Sequence, residues 1–336
     1  MCSWAIRAIV PVLCFLAWPV SGLSQTASQD NYRLFGSRFD WILDVYSKDP
    51  ESVGDVRLFI REAGKGNATY LVIHGGFGAE HSYLLDALLP VADEGRLIFY
   101  DQRGSLRSPA PDSLITLDGH IRDIERIRKA YRIEKLNIIA HSMGSYLAMA
   151  YLQRYPANVG RMILISSLPA RLSSDNIEEY SAYQTRHMQK MSAGQPSLWK
   201  QELAKRGFTG PFNADIVGQR DFVYIQQFWS AIGSVANYKN WELDNRGSTF
   251  LFNRHSGELA SAQMPEFFDF TEALGRHPSA VTFVKGDGDY LSPEVVRASL
   301  EGLKNVEFLL IKKAGHNVWI EQPSEFKRVM LSAMRR

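Results

Sequence analysis

The chain has 336 residues, 45% of them apolar and 22% charged, which is enough length and hydrophobic content for a large buried core and about two domains' worth of fold. That composition excludes a disordered, collagen-like or small disulfide-stapled protein. Its 38 basic and 36 acidic side chains leave a net charge of +2, so no broad basic field is present to hold nucleic acid or an anionic membrane surface.

The N-terminus carries one charge, Arg7, then an apolar run from Ala8 to Val20 and the small-residue stretch Ser21–Ser24. This layout predicts a secretory signal peptide over residues 1–24, with cleavage near Ser24, and hence a secreted or periplasmic protein. As a membrane anchor the run falls short of the ~20 residues a span needs, and Pro11 and Pro19 interrupt it. Leu13 precedes Cys14, where lipoprotein signals resemble a pattern with a small residue. Cys2 and Cys14 are the two cysteines of the chain, and both leave with the leader. The mature chain is then expected to lack thiols, disulfides and thiolate metal sites, and to have no stable membrane insertion. Loss of Arg7 takes its balance to 37 basic against 36 acidic residues.

Downstream, short β-branched and apolar runs recur at Val56–Ile60, Tyr70–His74, Leu97–Asp101, Leu136–His141, Met162–Ser166, Val281–Lys285 and Val306–Ile311. Near-continuous apolar strands of this kind belong to a sheet covered on both faces. Helical patterns lie between them. Ile121, Ile124, Ile127 and Tyr131 share one face, and Leu147, Ala148, Tyr151 and Leu152 share another that ends at Pro156. A last helix starts at Pro323, with Phe326, Val329, Met330 and Ala333 as its apolar stripe. The alternation predicts an α/β fold with a doubly wound, mostly parallel sheet, formed by residues 25–170 and 275–336. Across 171–274 the strand signal stops and aromatic residues such as Tyr180, Tyr183, Trp199, Phe228, Trp229 and Trp241 accumulate. This block is expected to be an inserted, mainly helical cap over the carboxyl edge of the sheet, where open α/β sheets bind ligands.

The chemistry begins where Leu136–Ala140 runs into His141-Ser142-Met143-Gly144 and directly into a helix. A serine at a tight strand-to-helix turn exposes its hydroxyl beside backbone N–H groups of a helix N-terminus, which favours negative charge. Small residues are needed two positions on either side, and Ala140 and Gly144 stand there. A serine hydroxyl needs a base to take its proton and a carboxylate to hold that base in the right tautomer. His316, in the loop after the last strand, reaches the same sheet edge as Ser142. His277 precedes a strand, at the wrong end, and His255 falls inside the cap. The acid is expected from the loop Gly286-Asp287-Gly288-Asp289, with Asp289 preferred and Asp287 as its competitor. For the oxyanion of acyl transfer, Met143 N–H supplies one donor, and the glycine loop His74-Gly75-Gly76-Phe77-Gly78 is expected to supply a second through Gly76 N–H, with Phe77 N–H as the alternative and Phe77 also expected to bind substrate.

With these motifs, the segment Asp101–Ser108, the helix around Asp123–Arg128 and Gly315–His316, the chain resembles the α/β-hydrolases, and within them it is similar to the proline iminopeptidase-like peptidases. The resemblance runs from about Arg57 onward. It implies release of N-terminal residues from small peptides or amino-acid amides. Asp101-Gln102-Arg103-Gly104 is its most branch-selective segment, a strand-end turn able to brace the glycine loop. Two departures are visible. The iminopeptidase pattern has proline at the position of Phe77 and Gly-Gly-Ser-Trp-Gly at the elbow, where Ala140–Gly144 is closer to esterases and acyl hydrolases. Iminopeptidases also set cap carboxylates against the substrate's α-amine, a role expected here of Glu178 and Glu179, with Glu266 or Asp269 as alternatives. A carboxylesterase on small apolar esters is the second reading, and a non-catalytic hydrophobic-ligand binder the third. No cofactor and no metal is implied: the histidines are scattered and no His-Glu-x-x-His pair occurs.

Overall fold

The computed structural model describes residues 37–42, 56–105, 107–194 and 253–336. Its strands are β1 (Ser37–Ile42), β2 (Leu58–Ala63), β3 (Ala68–Ile73), β4 (Gly95–Tyr100), β5 (Leu136–His141), β6 (Val159–Ile165), β7 (Arg171–Leu172), β8 (Phe268–Asp269), β9 (Val281–Gly286) and β10 (Val306–Ile311). The helices are α1 (Leu85–Leu88), α2 (Leu117–Ala130), α3 (Gly144–Arg154), α4 (Ile177–Gly194), α5 (Arg254–Ser261), α6 (Thr271–Arg276), α7 (Pro293–Ala298), α8 (Val318–Glu321) and α9 (Pro323–Arg335).

Eight strands form one sheet in the order β1-β2-β4-β3-β5-β6-β9-β10. From β4 to β10 neighbours are parallel, whereas β2 runs antiparallel to both β1 and β4. The period-2 alternation of strand side chains divides the core. Leu71 and Ile73 of β3 and Ile138 and Ala140 of β5 face Ile124 and Ile127 of α2 and Leu147 and Tyr151 of α3. Tyr70 and Val72 of β3 and Ile139 of β5 face the other way, onto Leu88 of α1 and the α9 stripe of Phe326, Val329, Met330 and Ala333. Both sheet faces are therefore buried, which is why these strands read as continuous apolar runs.

Two helix ends show the local rules. Thr116 caps α2 by accepting from Gly119 N–H at 2.9 Å, and α3 ends ahead of Pro156. Two features depart from expectation. β1 was absent from the expected strands because its sequence, Ser-Arg-Phe-Asp-Trp-Ile, alternates polar and apolar instead of running apolar throughout. The two-residue ladder of β7 with β8 ties together the ends of the inserted block, where no strand was expected. Of that block, α4, α5 and the start of α6 are described, while Trp199, Phe228, Trp229 and Trp241 lie outside the described residues, as does the leader expected over residues 1–24.

Candidate active site

β5 ends at His141 and α3 begins at Gly144, so Ser142 and Met143 make the whole turn. Ser142 takes φ +52°, a left-handed conformation that costs a non-glycine residue about 1–3 kcal/mol and persists only where the surroundings over-determine it. They do so here. Ser142 N–H extends the ladder to Ile165 O at 2.9 Å, and the Ser142 carbonyl accepts from both Ser145 N–H (2.9 Å) and Ser145 Oγ (2.6 Å). Gly144 is obligatory because a Cβ there would lie 2.5 Å from His74 O and 2.7 Å from Ile73 O. Gly75 presses on the elbow from the other side: its Cβ would lie 2.8 Å from Ser142 Cβ. The glycine loop after β3 thus lies against the serine, as the β3–β5 pairing requires.

Ser142 Oγ is 2.9 Å from His316 Nε2, and His316 Nδ1 is 2.8 Å from Asp289 Oδ1. With Nδ1–H donated to the carboxylate, Nε2 is the acceptor for the serine hydroxyl. Asp289 Oδ1 also accepts Leu291 N–H at 2.9 Å. Burial pushes the Asp289 carboxyl up, but the charges of Lys285 and His316 outweigh burial and hold it well below the usual carboxylate range. Asp287, the competing acid, instead faces the neighbouring loop, accepting from Ala314 N–H at 3.3 Å.

His316 is held from behind by its carbonyl, which accepts Ser166 Oγ–H at 2.6 Å, with Ser166 itself at φ +47°. The Tyr290 and His141 rings lie 4.5 and 4.8 Å from the His316 ring. Burial, then the charge of His316, keeps His141 well below its ordinary pKa and so neutral. A chain of hydrogen bonds leads from it to the glycine loop. Gly75 N–H donates to Tyr83 Oη at 2.7 Å, and Tyr83 Oη lies 2.8 Å from His141 Nδ1.

Asp101-Gln102-Arg103-Gly104 lies under that loop. Gln102 N–H donates to His74 Nε2 (3.1 Å) and Gln102 Nε2 to His74 O (2.7 Å), and burial lowers His74 to about 4, leaving it neutral as this geometry needs. Arg103, fully buried, grips Asp123 of α2 through two 2.7 Å bonds. Glu80, His81 and Asp101 bring three buried ligand-type atoms within 4.8 Å of one another. The Arg107 guanidinium pairs with both carboxylates of that cluster, so a cation is already in place and the group braces the loop.

Other expected site residues are not brought to this cluster. Phe77 is buried in the core, its ring 5.1 Å from that of His120. Glu178 and Glu179 are exposed on the first turn of α4. The same helix turns Tyr180 into the protein, and Tyr183 Oη–H reaches the Asp289 carbonyl at 3.1 Å. Glu266 and Asp269 are exposed as well, Asp269 bonding Thr271 N–H at 2.8 Å. His277 lies at the far sheet end, where its Nε2–H donates to Gly160 O at 2.7 Å, and exposed His255 pairs with Asp112. Gly76, at φ +65°, and Met143, at the start of α3, flank the elbow. Sequence reasoning gave no site role to Tyr83, Ser166 or Lys285, and placed Tyr183 only among the cap aromatics. Only Lys285 left a signal, a lone charge ending an apolar strand.

Comparison with known proteins agrees with this architecture. Residues 70–323 match the family described as the alpha/beta hydrolase fold. A proline iminopeptidase of Lactobacillus helveticus is 22% identical over 268 residues, covering 76% of this chain and 86% of its own. A probable 1-acylglycerol-3-phosphate O-acyltransferase of Oryza sativa is 25% identical over 321 residues, 90% of this chain and 74% of its own. Among solved structures, a proline iminopeptidase-related protein of Thermus thermophilus superposes with TM-score 0.63 at 18% identity, covering 89% and 97% of the two chains. A thermophilic esterase of Thermogutta terrifontis superposes at 0.58 and 18%, covering 89% and 98%. The chain belongs to the α/β-hydrolase fold family, as a hydrolase similar to the proline iminopeptidases.

Proposed function

We propose that the protein is a serine hydrolase acting through an acyl-enzyme, releasing N-terminal residues from small peptides or amino-acid amides. The observation that carries this reading is the continuous line Ser142 Oγ, His316 Nε2 and Nδ1, Asp289 Oδ1, with spacings of 2.9 and 2.8 Å. His316 takes the Ser142 proton as Oγ bonds to the substrate carbonyl carbon. The oxyanion is met by the N–H groups of Met143 and Gly76, donors of a kind worth roughly 10²–10³ in rate. His316 then gives its proton to the departing amine as the C–N bond breaks. Water, deprotonated by the same histidine, attacks the acyl carbon; the C–Oγ bond then breaks, His316 returns the proton to Ser142 Oγ, and the carboxylic acid product leaves.

The positions of Glu178 and Glu179 favour a second reading. An aminopeptidase needs an anionic receptor for the substrate's ammonium, and these carboxylates are exposed to solvent. A carboxylesterase on small apolar esters needs no such receptor. Assay of an N-terminal proline arylamide, its N-blocked form and a short-chain aryl ester separates the two. Turnover of the arylamide, lost on blocking, is the result for the peptidase; turnover of the ester alone is the result for the esterase. Export belongs to the same reading: a protein expressed with residues 1–24 should be recovered outside the cytoplasm beginning near Gln25, and an unprocessed N-terminus would contradict it.

A further inference from the structure

Lys285 is the next-to-last residue of β9, with its side chain almost wholly buried, 1% exposed. Nζ lies 2.8 Å from Asp289 Oδ2 and donates to the Ser167 carbonyl at 2.9 Å. Asp289 therefore stands between His316 and Leu291 N–H on Oδ1 and Lys285 on Oδ2. Burying an ammonium carries a desolvation penalty that a linear apolar side chain of the same length would avoid. Serine activation by a histidine and a carboxylate needs no such cation.

We propose that Lys285 is a positioning residue of the reaction: its ammonium fixes the rotation of the Asp289 carboxylate and offsets part of that charge, so that Oδ1 stays on His316 Nδ1 and Nε2 stays turned to Ser142. This rests on the reading of Ser142, His316 and Asp289 as the reacting set. The titratable and charged groups around them come from several elements. The β9 loop contributes Tyr290 against the His316 ring, β5 contributes neutral His141, and α4 contributes Tyr180 and Tyr183 near Asp289. Glu294 of α7 acts on Lys285 from outside, and Glu321 of α8 holds Gly315 N–H. Among these, Lys285 is the cation in contact with the carboxylate. Ser167 follows Ser166, which holds the His316 carbonyl, so one β6 turn anchors both the lysine and the histidine loop.

The test is the pH profile of kcat/KM for wild type, Lys285→Met and Lys285→Arg. Removing a nearby cation favours the imidazolium, so in Lys285→Met the acid limb should move up by about one pH unit, a roughly tenfold loss on that limb relative to the alkaline plateau. Lys285→Arg should keep the wild-type limb. If Lys285→Met fails to fold, Lys285→Gln supplies the uncharged comparison and should show the same displacement. A limb that stays in place while the plateau falls would make Lys285 merely structural and overturn the proposal. Ser142→Ala keeps the two failures apart: activity surviving in it refutes the reacting set itself, whereas activity lost in it beside an unmoved limb refutes only the role of Lys285.

Discussion

The Tyr83 hydroxyl lies 2.8 Å from His141 Nδ1, joining the loop after β3 to the last residue of the strand that carries Ser142. Because His141 is neutral, one arrangement satisfies every group: Gly75 N–H donates to Tyr83 Oη, and Tyr83 O–H donates to Nδ1. Tyr83→Phe keeps the ring but leaves Gly75 N–H and His141 Nδ1 unpaired, at a cost of about 1–3 kcal/mol for a buried group. On the proposed mechanism the glycine loop carries an oxyanion donor, so kcat should fall by at least tenfold with KM little changed. An unaltered kcat in steady-state assays would show that the loop holds its place without this link.

Asp289→Asn removes the anion that fixes the His316 tautomer. A kcat loss on the order of 10⁴ is expected, with substrate binding retained. Stability should respond to acid through the same group. Asp289 binds its proton less readily folded than unfolded, so its contribution is complete above the unfolded value near pH 4 and is lost as pH falls toward its lower folded value. Wild type should lose this stability on acidification in urea melts, whereas Asp289→Asn should not. Parallel acid sensitivity in the two proteins would contradict the assignment.

Glu321 gives the opposite sign. Burial, with Asp287 adding to it against the bond from Gly315 N–H, pushes its carboxyl up to about 7. Folded protein then holds this proton more tightly than unfolded chain does, so stability is lost as pH rises from about 4.5 through 7. Glu321→Gln retains an acceptor for Gly315 N–H and no titrating group. Its Tm should exceed that of wild type at pH 8.5 and approach it at pH 5.5; a Tm difference independent of pH would count against the buried carboxyl.

Arg103 is a stability anchor away from the reacting atoms. Its guanidinium spans Asp123 of α2 and the Leu114 carbonyl, 2.6 Å from Nη1. Arg103→Met leaves Asp123 buried with Arg126 still paired to it at 2.8 Å, so a loss of about 3 kcal/mol, near the low end for a broken buried pair, is expected in denaturant melts. A change below about 1 kcal/mol would mean that Arg126 alone neutralises the carboxylate.

What the sequence reveals and what it hides divides along physical lines. The strand, two-residue turn and helix around Ser142 are a local pattern, and so are the loops after β9 and β10 that carry Asp289 and His316 to the same sheet edge. Pairing partners are not local: β1 mixes polar with apolar residues and β7 and β8 are two residues each, so their neighbours are what make them strands. Orientation is hidden too. Glu178, Glu179 and Tyr180 are consecutive, yet the rotation of α4 buries the tyrosine and exposes both carboxylates. Phe77 follows the glycine pair, but the turn at Gly76 sends its ring into the core. Lys285 reads as an oddity at a strand end until Asp289 Oδ2 is placed beside it.

The most direct test of the account is covalent capture by a fluorophosphonate, which reacts with a serine whose hydroxyl is activated by a neighbouring base. One equivalent should attach to the peptide containing Ser142, turnover should stop in proportion, and Ser142→Ala should neither label nor turn over substrate. Turnover that persists in Ser142→Ala, or stoichiometric label on another residue, would contradict it.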